Sequence, residues 1–263
     1  MLRVLKFCGY LILALVAFIL AYVFVFSGSF HTPVNVLTPA AYTSPGGPII
    51  VFGGNRATGL DIVRMLRERG EDVTVAVRAT SNIDALEALG ARTVVADALD
   101  AASVRAAFAS GGFKLAVSTL GTSRGENARR PDFIGNRNVI DAAKASGVQR
   151  IVFVTVIGTG NSFEAAPLPA RRFLKEVIAM KGQAEDHLRA SGVAYTIIRP
   201  GGLNDLGSTG TAVLADDPMA FSYIARVDVA RLTVAAIGDP ATVNKTYNTY
   251  DPSRRALWKQ FVD

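Results

Sequence analysis

An α/β fold built on a doubly wound parallel sheet is predicted by three features of this 263-residue chain. Short all-apolar runs, typical of strands buried on both faces of a sheet, alternate with segments of helical periodicity. A glycine-rich turn joins the first of these strands to the helix that follows it. One longer apolar run precedes the whole pattern, and its length predicts a single amino-terminal transmembrane helix.

Composition excludes several classes of functional site. Apolar residues make up 50% of the chain and charged residues 19%, as in packed globular proteins. The single cysteine, Cys8, lies in the amino-terminal apolar run, so the domain has no CxxC motif and no thiolate nucleophile. Two histidines, His31 and His187, are too few for a zinc site, and we expect no metal. The net charge of +6 is scattered along the chain, so we expect no nucleic-acid partner.

The apolar run extends from residue 7 to residue 26, about 20 residues, which matches the hydrocarbon thickness of a bilayer. We predict that residues 1–27 form a membrane anchor whose partner is the lipid bilayer. A cleaved signal peptide is the alternative, because Arg3 and Lys6 precede the run and small residues follow it. The same two positive residues favour a cytoplasmic amino terminus, which would place the domain outside the cytoplasm.

Residues 28–47 are rich in Pro, Gly and Ser and show little periodicity. Such a composition predicts an extended linker. The globular domain then occupies residues 48–263, with a small substrate or lid region after about residue 200. The stretch from residue 201 to 218, rich in Gly, Asp and Thr, is the candidate lid.

A complete βαβ unit is predicted at the start of the domain. Residues 49–52 form an apolar run, the turn GGNRATG follows, residues 60–69 have helical spacing, and residues 73–77 form a second strand. Glycines in such a turn allow a pyrophosphate to approach the backbone at the helix amino terminus. The pattern therefore predicts a dinucleotide-binding domain of the Rossmann type. The predicted cofactor contacts in the turn are Gly53, Gly54, Asn55, Arg56, Ala57, Thr58 and Gly59.

The residue after the second strand usually decides between NAD and NADP. Arg78 stands there, and no acidic residue occurs between residues 73 and 82. Because a guanidinium suits a 2′-phosphate, we predict NADP(H) in preference to NAD(H), with Arg56 as a second phosphate ligand. Alternatively, either arginine is a solvated surface charge. A cofactor from the cytosolic pool favours a cytoplasmic domain, against the charge rule, so the side of the membrane stays open.

The alternation of strands and helices continues to residue 121. We predict a helix over 83–89, a strand over 93–96, a helix opened by Asp100 and a strand over 115–120. Asp97, Leu120 and Gly121 lie at the carboxyl ends of these strands, the edge where ligands bind in parallel sheets. They are predicted to contact the cofactor, or alternatively to cap a helix and form a turn.

From residue 49 to residue 252 the chain resembles the atypical short-chain dehydrogenase/reductases, especially their NmrA-like and biliverdin/flavin-reductase-like branch. The resemblance implies a Rossmann-type domain that binds NAD(P). It rests on the GGNRATG turn, VAVR ending at Arg78, ADALD over 96–100, NVIDAAKASGVQRIVFVTVIG over 138–158, KGQAEDHLRASGVAYTIIRPGGL over 181–203 and RVDVA over 226–230.

The chain departs from the family patterns in two places. GxxGxxG would have a glycine at Arg56 and GxxxGxG at Ala57, and we expect either residue to fit where its φ is negative. The family pair Tyr-xxx-Lys is reduced to Lys181, with Val177 in the place of the tyrosine. The resemblance implies that Lys181 holds the nicotinamide ribose and that Thr155 replaces a family serine. Both are candidate catalytic and cofactor-binding residues; alternatively, they are a solvated helix charge and a strand-end residue.

Alcohol and ketone chemistry is not expected without the tyrosine, because no phenol stands ready to protonate a carbonyl. We predict a reductase that transfers a hydride from NADPH to a small acceptor that solvent protonates, such as a flavin, a quinone or a conjugated compound. The alternative is a non-enzymatic redox sensor, or an assembly or scaffold protein, that binds NADP(H). A sugar-nucleotide epimerase agrees less well, since such enzymes usually retain the Tyr-xxx-Lys pair.

Overall fold

The computed structural model describes residues 2–26, 31–38, 40–122 and 130–256. Within these residues one nine-stranded sheet has helices on both faces, and a two-stranded sheet is formed by β8 (Gly202–Asn204) and β10 (Tyr223–Ala225). The strands of the large sheet are β1 (Val36–Leu37), β2 (Ile49–Phe52), β3 (Val73–Val77), β4 (Arg92–Val95), β5 (Leu115–Ser118), β6 (Arg150–Val154), β7 (Ala194–Arg199), β9 (Val213–Ala215) and β11 (Lys245–Tyr250). The helices are α1 (Leu2–Phe26), α2 (Ala57–Glu68), α3 (Asp84–Ala88), α4 (Ala101–Ala109), α5 (Ile134–Ala145), α6 (Leu168–Phe173), α7 (Lys175–Ser191) and α8 (Arg226–Ile237).

The large sheet is parallel over the order β4-β3-β2-β5-β6-β7-β11. Strand β9 joins β11 in the antiparallel direction, and β1 joins β9 in the same way. The order reverses at β2, because β3 and β4 lie on one side of it and the later strands on the other. Such a switch point opens a crevice at the carboxyl ends of the strands. The predicted doubly wound parallel sheet is therefore confirmed.

The central strands are buried on both faces because helices cover the sheet from two sides. Ile49 and Val51 of β2 face a core shared with α2 and α8. Ile50 and Phe52 face the opposite core, where Phe52 stacks on Phe108 of α4 with ring centroids 5.5 Å apart. Alternate side chains of a strand point to opposite faces, so a strand covered on both faces must be apolar at every position. This explains why the apolar runs of the sequence become the middle of the sheet.

The amino-terminal apolar run forms helix α1, and its described side chains, residues 6–22, are exposed. Over the residues that the structure describes, none of the helices combines the length and the apolar character that a bilayer crossing requires. The prediction of a transmembrane helix over residues 7–26 is thus not supported, although a helix does form there.

The segment predicted as a linker lies along the domain wherever it is described. Residues Val36–Leu37 add an antiparallel strand to β9. The hydroxyl of Tyr42 donates to a carboxylate oxygen of Glu71 at 3.0 Å, and Nε2 of His31 lies 2.7 Å from Oδ2 of Asp217. The segment is extended, as predicted, but it is bound rather than free, because it supplies hydrogen-bond partners to a sheet edge.

The region after residue 200, predicted as a small lid, is divided between the two sheets. Strands β8 and β10 pair in parallel above the end of β7, whereas β9 and β11 belong to the large sheet. Helix α8 packs against α2 on one face of that sheet. The parts around β8 and β10 therefore lie over the carboxyl edge of the strands.

Candidate functional site

A cleft of about 600 Å³ lies at the switch point, where the carboxyl ends of β2, β3 and β5 meet. The turns after these strands supply most of its lining, and β8 closes one side through Leu203. Ten residues that the sequence predicted as cofactor contacts line it. They are Gly53, Asn55, Arg56, Ala57, Thr58, Gly59, Arg78, Asp97, Leu120 and Gly121.

Two glycines of the turn after β2 stand where no side chain fits. A Cβ on Gly53, whose φ is +83°, would lie 2.6 Å from Oγ1 of Thr119. A Cβ on Gly59 would lie 2.1 Å from the carbonyl oxygen of Gly53. The hydroxyl of Thr119 donates to that carbonyl at 3.0 Å, which fastens the turn to the end of β5. The turn is therefore closely packed and presents its backbone to the cleft.

The backbone angles of the turn show whether Arg56 or Ala57 stands where the family patterns have their middle glycine. Arg56 is extended, with φ of −161°, and fits as expected. Ala57 has φ of +46°, in the left-handed region, so the expectation of a negative φ fails at this residue. Such a conformation costs a non-glycine residue about 1–3 kcal/mol. The turn thus follows the GxxxGxG pattern, with an alanine at the one position where glycine would relieve strain.

Gly54 does not line the cleft, contrary to its predicted contact with the cofactor. It is buried between the strands and helix α2. A Cβ at this position would lie 2.8 Å from Val75 and 3.0 Å from both Val51 and Val63. Gly54 therefore allows the close approach of α2 to the sheet, which sets where the helix amino terminus lies.

The far side of the cleft carries the residues expected to select the cofactor. Arg78, directly after β3, is exposed and lines the cleft together with Arg56 of the glycine turn. Ser81 lines the same end and was missed, because a lone serine in a loop has no distinguishing pattern. Asp97 lines the cleft, and its carboxylate also accepts from the backbone N–H of Leu99 at 3.0 Å, which forms a turn there.

Lys181 lies beneath the other end of the cleft and is only 5% exposed, so it is not a solvated helix charge. Its Nζ donates to the carbonyl oxygens of Leu120 and, at 3.5 Å, of Val154. Burial lowers the pKa of Lys181 to about 8, while the charges of Asp132 and Glu185 act in the opposite direction. An ammonium with a lowered pKa is therefore held directly behind the turn after β5.

Thr155 follows β6, as predicted, but its hydroxyl points into a buried network and does not line the cleft. Oγ1 of Thr155 donates to Oε1 of Glu185 at 2.7 Å. Glu185 is completely buried and is paired with Arg199 at the end of β7. Thr155 would have to break its bond to Glu185 before it could contact a cofactor or a substrate.

The Glu185 network was missed by the sequence reasoning. Burial acts to raise the pKa of the Glu185 carboxyl, but hydrogen bonds and charge from Arg199, with hydroxyl donors from Thr159 and Thr155, hold it below its usual value. Arg199 is the last residue of β7 and directly follows two isoleucines. A charged residue at the end of such a strand is the sequence feature that could have indicated a buried ion pair.

Asp132 is a second functional candidate that the sequence did not indicate. It is completely buried, and its Oδ2 accepts a hydrogen bond from the hydroxyl of Thr122. Its Oδ1 is buried and has no hydrogen-bond partner among the described residues. That oxygen lies 3.5 Å from the position of a Cβ on Gly121, at the end of the cleft. A buried acceptor without a donor favours a ligand that brings one.

The residues of the cleft fit a dinucleotide along its whole length. The glycine turn lines the cleft at the amino terminus of α2, which suits a pyrophosphate. Arg78 and Arg56 supply positive charge at one end. Lys181 and Oδ1 of Asp132, which has no hydrogen-bond partner within the described part of the chain, lie at the other end, beneath the turn after β5. From one end of the cleft to the other, the arrangement can therefore hold a phosphate, a pyrophosphate and a polar group.

Comparison with known proteins supports this interpretation. Residues 53–240 match the family model described as NAD(P)H-binding. The structure of ChuY, an anaerobilin reductase from Escherichia coli O157:H7, is 30% identical and superposes with a TM-score of 0.69 over 78% of this chain and 97% of that one.

Two further relatives have names that indicate different functions, one a reductase and one an assembly factor. Sanguinarine reductase from Eschscholzia californica is 35% identical over 134 residues, 47% of this chain and 46% of the relative. The photosystem II assembly factor Ycf39 from Cyanophora paradoxa is 25% identical over 211 residues, 76% of this chain and 62% of the relative. A matched model over more than half of the chain, with a glycine turn that requires its glycines, establishes the family. The chain is a member of the NAD(P)H-binding Rossmann-fold family, and its relatives include atypical short-chain dehydrogenase/reductases of the NmrA-like kind.

Proposed function

We propose that this protein is a reductase that binds NADPH in the cleft and delivers a hydride to a small organic acceptor. The observation that carries the proposal is the position of Lys181, buried beneath the turn after β5 without a tyrosine on the preceding helical turn. Val177 holds that place and has no proton to donate. The site therefore suits an acceptor that needs no acid from the protein.

The chain itself binds and orients the reactants. A dihydronicotinamide cofactor, when bound, supplies a hydride, which is one proton with two electrons. The acceptor takes that hydride and one proton from water, and is reduced by two electrons. Lys181 provides a positive charge close to the cofactor's reactive end, and Asp132 provides an acceptor for a hydroxyl or amide donor there. The glycine turn binds the pyrophosphate with its backbone.

We propose NADPH as the preferred cofactor on the basis of the far end of the cleft. Arg78 and Arg56 both line it, and guanidinium groups bind a phosphate with paired hydrogen bonds. No acidic residue follows β3 to bind a free ribose 2′-hydroxyl. NADH has no 2′-phosphate for these guanidinium groups to bind.

Turnover by the full-length chain tests the reductase proposal. NADPH oxidation is followed anaerobically with a quinone, a flavin, an azo dye and a conjugated iminium ion as acceptors. We expect reduction of at least one acceptor, and a loss of about tenfold or more in kcat/KM in Lys181→Met. Lys175→Met, an exposed lysine on the same helix, is the matched control. The reductase proposal fails if NADPH binds and no acceptor is reduced.

A cofactor-binding protein without turnover is the second candidate function. The assembly factor among the relatives favours it, as does the absence of a proton donor at Val177. In that case NADPH binding changes the affinity for a protein partner instead of driving chemistry. Tight binding of NADPH, combined with no reduction of any acceptor, would select this candidate.

We further propose that helix α1 attaches the domain to a membrane. From residue 7 to residue 22 its described side chains are almost all apolar and are exposed, for example Phe7 at 66% and Phe18 at 69%, and exposed apolar surface of this extent favours a lipid or protein partner. The full chain should float with phospholipid vesicles, and a chain that starts at residue 31 should not. Flotation of both would place the membrane contact elsewhere, and flotation of neither would end this proposal.

A further inference from the structure

A second cavity, of about 210 Å³, lies at the carboxyl ends of β6 and β7. The residues after β6 form its floor, the glycines after β7 form one side, and α6 with the residues on either side of it forms another. The chief lining residues are Val156, Ile157, Leu174, Gly202, Phe221 and Tyr223. We name this cavity the apolar pocket.

Hydrocarbon groups form nearly all of the surface of the apolar pocket, and among the residues that the structure describes no charged side chain lines it. Phe221 and Tyr223 meet edge to face, with ring centroids 5.5 Å apart. A Cβ on Gly202 would lie 2.3 Å from Cδ1 of Tyr223, so the ring rests directly on the backbone of β8. The aromatic wall is thus fixed from both sides, and the pocket has a defined shape.

The apolar pocket begins where the cofactor cleft ends. The cleft occupies the ends of β3, β2 and β5, and the pocket occupies the ends of β6 and β7, which are the next strands in the sheet. Neighbouring strands lie about 4.8 Å apart, so the two spaces are a strand's width from each other. Consecutive residues of β8 form a shared wall, since Leu203 lines the cleft and Gly202 the pocket.

The volume limits what the apolar pocket can hold. A cavity of about 150 Å³ accommodates benzene, whereas pockets for drug-sized ligands occupy about 300–1,000 Å³. At about 210 Å³ the pocket lies between these limits. A charged group would lose its hydration there without gaining a partner among the described lining residues, which makes its burial unfavourable.

We propose that the apolar pocket binds the acceptor, and that the acceptor carries a compact, uncharged ring system of one or two rings. This inference rests on the proposed reductase function and names its substrate class. The bound ring receives a hydride from the dihydronicotinamide and a proton from water, so it gains two electrons and two hydrogens while the cofactor is oxidised. A flavin nucleotide or a tetrapyrrole exceeds the pocket in size and carries charged groups.

The test compares two acceptors of equal reactivity class, a naphthoquinone and its sulfonated derivative, with the full-length chain and NADPH. The uncharged naphthoquinone should have a KM lower by about tenfold or more, because the sulfonate cannot be buried. Val156→Phe fills the pocket and should raise the KM for naphthoquinone by about 10-fold or more. Leu174→Trp narrows the pocket from the residue that follows α6, whose side chain is 37% exposed and lies outside the core. Val34→Phe, at an exposed position before β1 that lines neither space, is the control.

The outcomes separate this inference from the proposed function. NADPH affinity that stays within about twofold in the variants shows that the cleft is intact, and a raised KM then supports the apolar pocket. Reduction of naphthoquinone with an unchanged KM in both variants overturns the pocket and leaves the reductase function standing. Calorimetric binding of naphthoquinone that the variants abolish, without reduction in any of them, overturns the reductase function and supports the pocket as a binding site. Equal KM values for the two acceptors also overturn the inference.

Discussion

Arg199 donates to both carboxylate oxygens of Glu185, with Nη2 2.6 Å from Oε2 and Nε 3.1 Å from Oε1. Both side chains are at most 2% exposed. The carboxylate also accepts the hydroxyls of Thr155 at 2.7 Å and Thr159 at 2.6 Å. Glu185 stands one helical turn after Lys181 on α7, so this ion pair connects the end of β7 to the helix that carries the lysine.

Glu185→Gln should lower the free energy of unfolding by about 3–5 kcal/mol, because it leaves the charge of Arg199 buried without a counter-ion. Urea denaturation of the full chain measures the change. Glu176→Gln is the matched control: Glu176 pairs with Arg130 on the surface, and such a pair contributes about 0–1 kcal/mol. Equal losses in the two variants would contradict the structural role of the buried pair.

NADPH affinity should fall as the pH rises through about 8, the value to which burial lowers the pKa of Lys181. The ammonium form attracts the anionic cofactor, and the neutral amine that prevails above this pH does not. Binding an anion favours the protonated form, so affinity is greatest below the pKa. Titration calorimetry from about pH 6 to pH 9.5 measures the profile. Lys181→Met should give weaker binding with no break near pH 8, whereas Lys175→Met should keep the wild-type profile.

Asp132→Asn should lower the pH at which NADPH affinity begins to fall. The negative charge of Asp132 acts to raise the pKa of Lys181, so its removal lets burial lower that pKa further. The asparagine keeps the size of the side chain and its hydrogen bond with Thr122. The same calorimetric series measures the shift, and a break that stays in place would show that the two groups do not interact. Asp141→Asn, at a half-exposed surface site that pairs with His187, should change nothing.

Ala57→Gly should stabilise the domain by about 1 kcal/mol, since glycine adopts a φ of +46° without strain. NADPH affinity should rise or stay unchanged, because the turn keeps its shape. Thermal unfolding with and without cofactor measures both effects. Ala106→Gly lies at an exposed position inside α4, has no positive φ to relieve, and should cost about 1 kcal/mol. Destabilisation in both variants would show that the strain at Ala57 is absent in solution.

Arg78→Ala should weaken NADPH binding by about tenfold or more and leave NADH binding nearly unchanged, because only NADPH carries the 2′-phosphate that a guanidinium binds. The ratio of the two dissociation constants measures the preference directly. Arg105→Ala, an exposed arginine of α4 outside the cleft, is the control. An equal loss of affinity for both cofactors would show that Arg78 attracts either anionic cofactor and does not select for the 2′-phosphate.

The sheet and the glycine turn were predictable from the sequence because their determinants are local. Strands β2 and β3 have the predicted bounds, Ile49–Phe52 and Val73–Val77, since burial on both faces requires an unbroken apolar run. Asp100 caps α4 through a hydrogen bond from the backbone of Ala102 at 2.9 Å, as predicted. Helix ends differ by a few residues, as where α2 begins at Ala57 in the turn itself.

The rest of the site depends on pairs that are distant in sequence. Glu185 meets Thr155 and Arg199 only once α7 is packed beside β6 and β7. Asp132 reaches the cleft because the chain returns there before α5, and no periodicity or motif marks that return. Strand β1 is two residues long and pairs with a strand almost 180 residues later, so no local pattern could predict it. Backbone angles at Ala57 likewise follow from how the turn closes on β5.

The docked segment that contains β1 sets how far the domain can move from helix α1. The helix ends at Phe26, and the chain is held again at His31, whose ring lies 2.7 Å from Asp217. Five residue steps separate these points, which corresponds to a maximum reach of about 18 Å at 3.3–3.6 Å per residue. The distance between the end of α1 and His31 therefore limits how far the domain can move from any surface that α1 binds. It also limits the orientations that the domain can adopt relative to that surface.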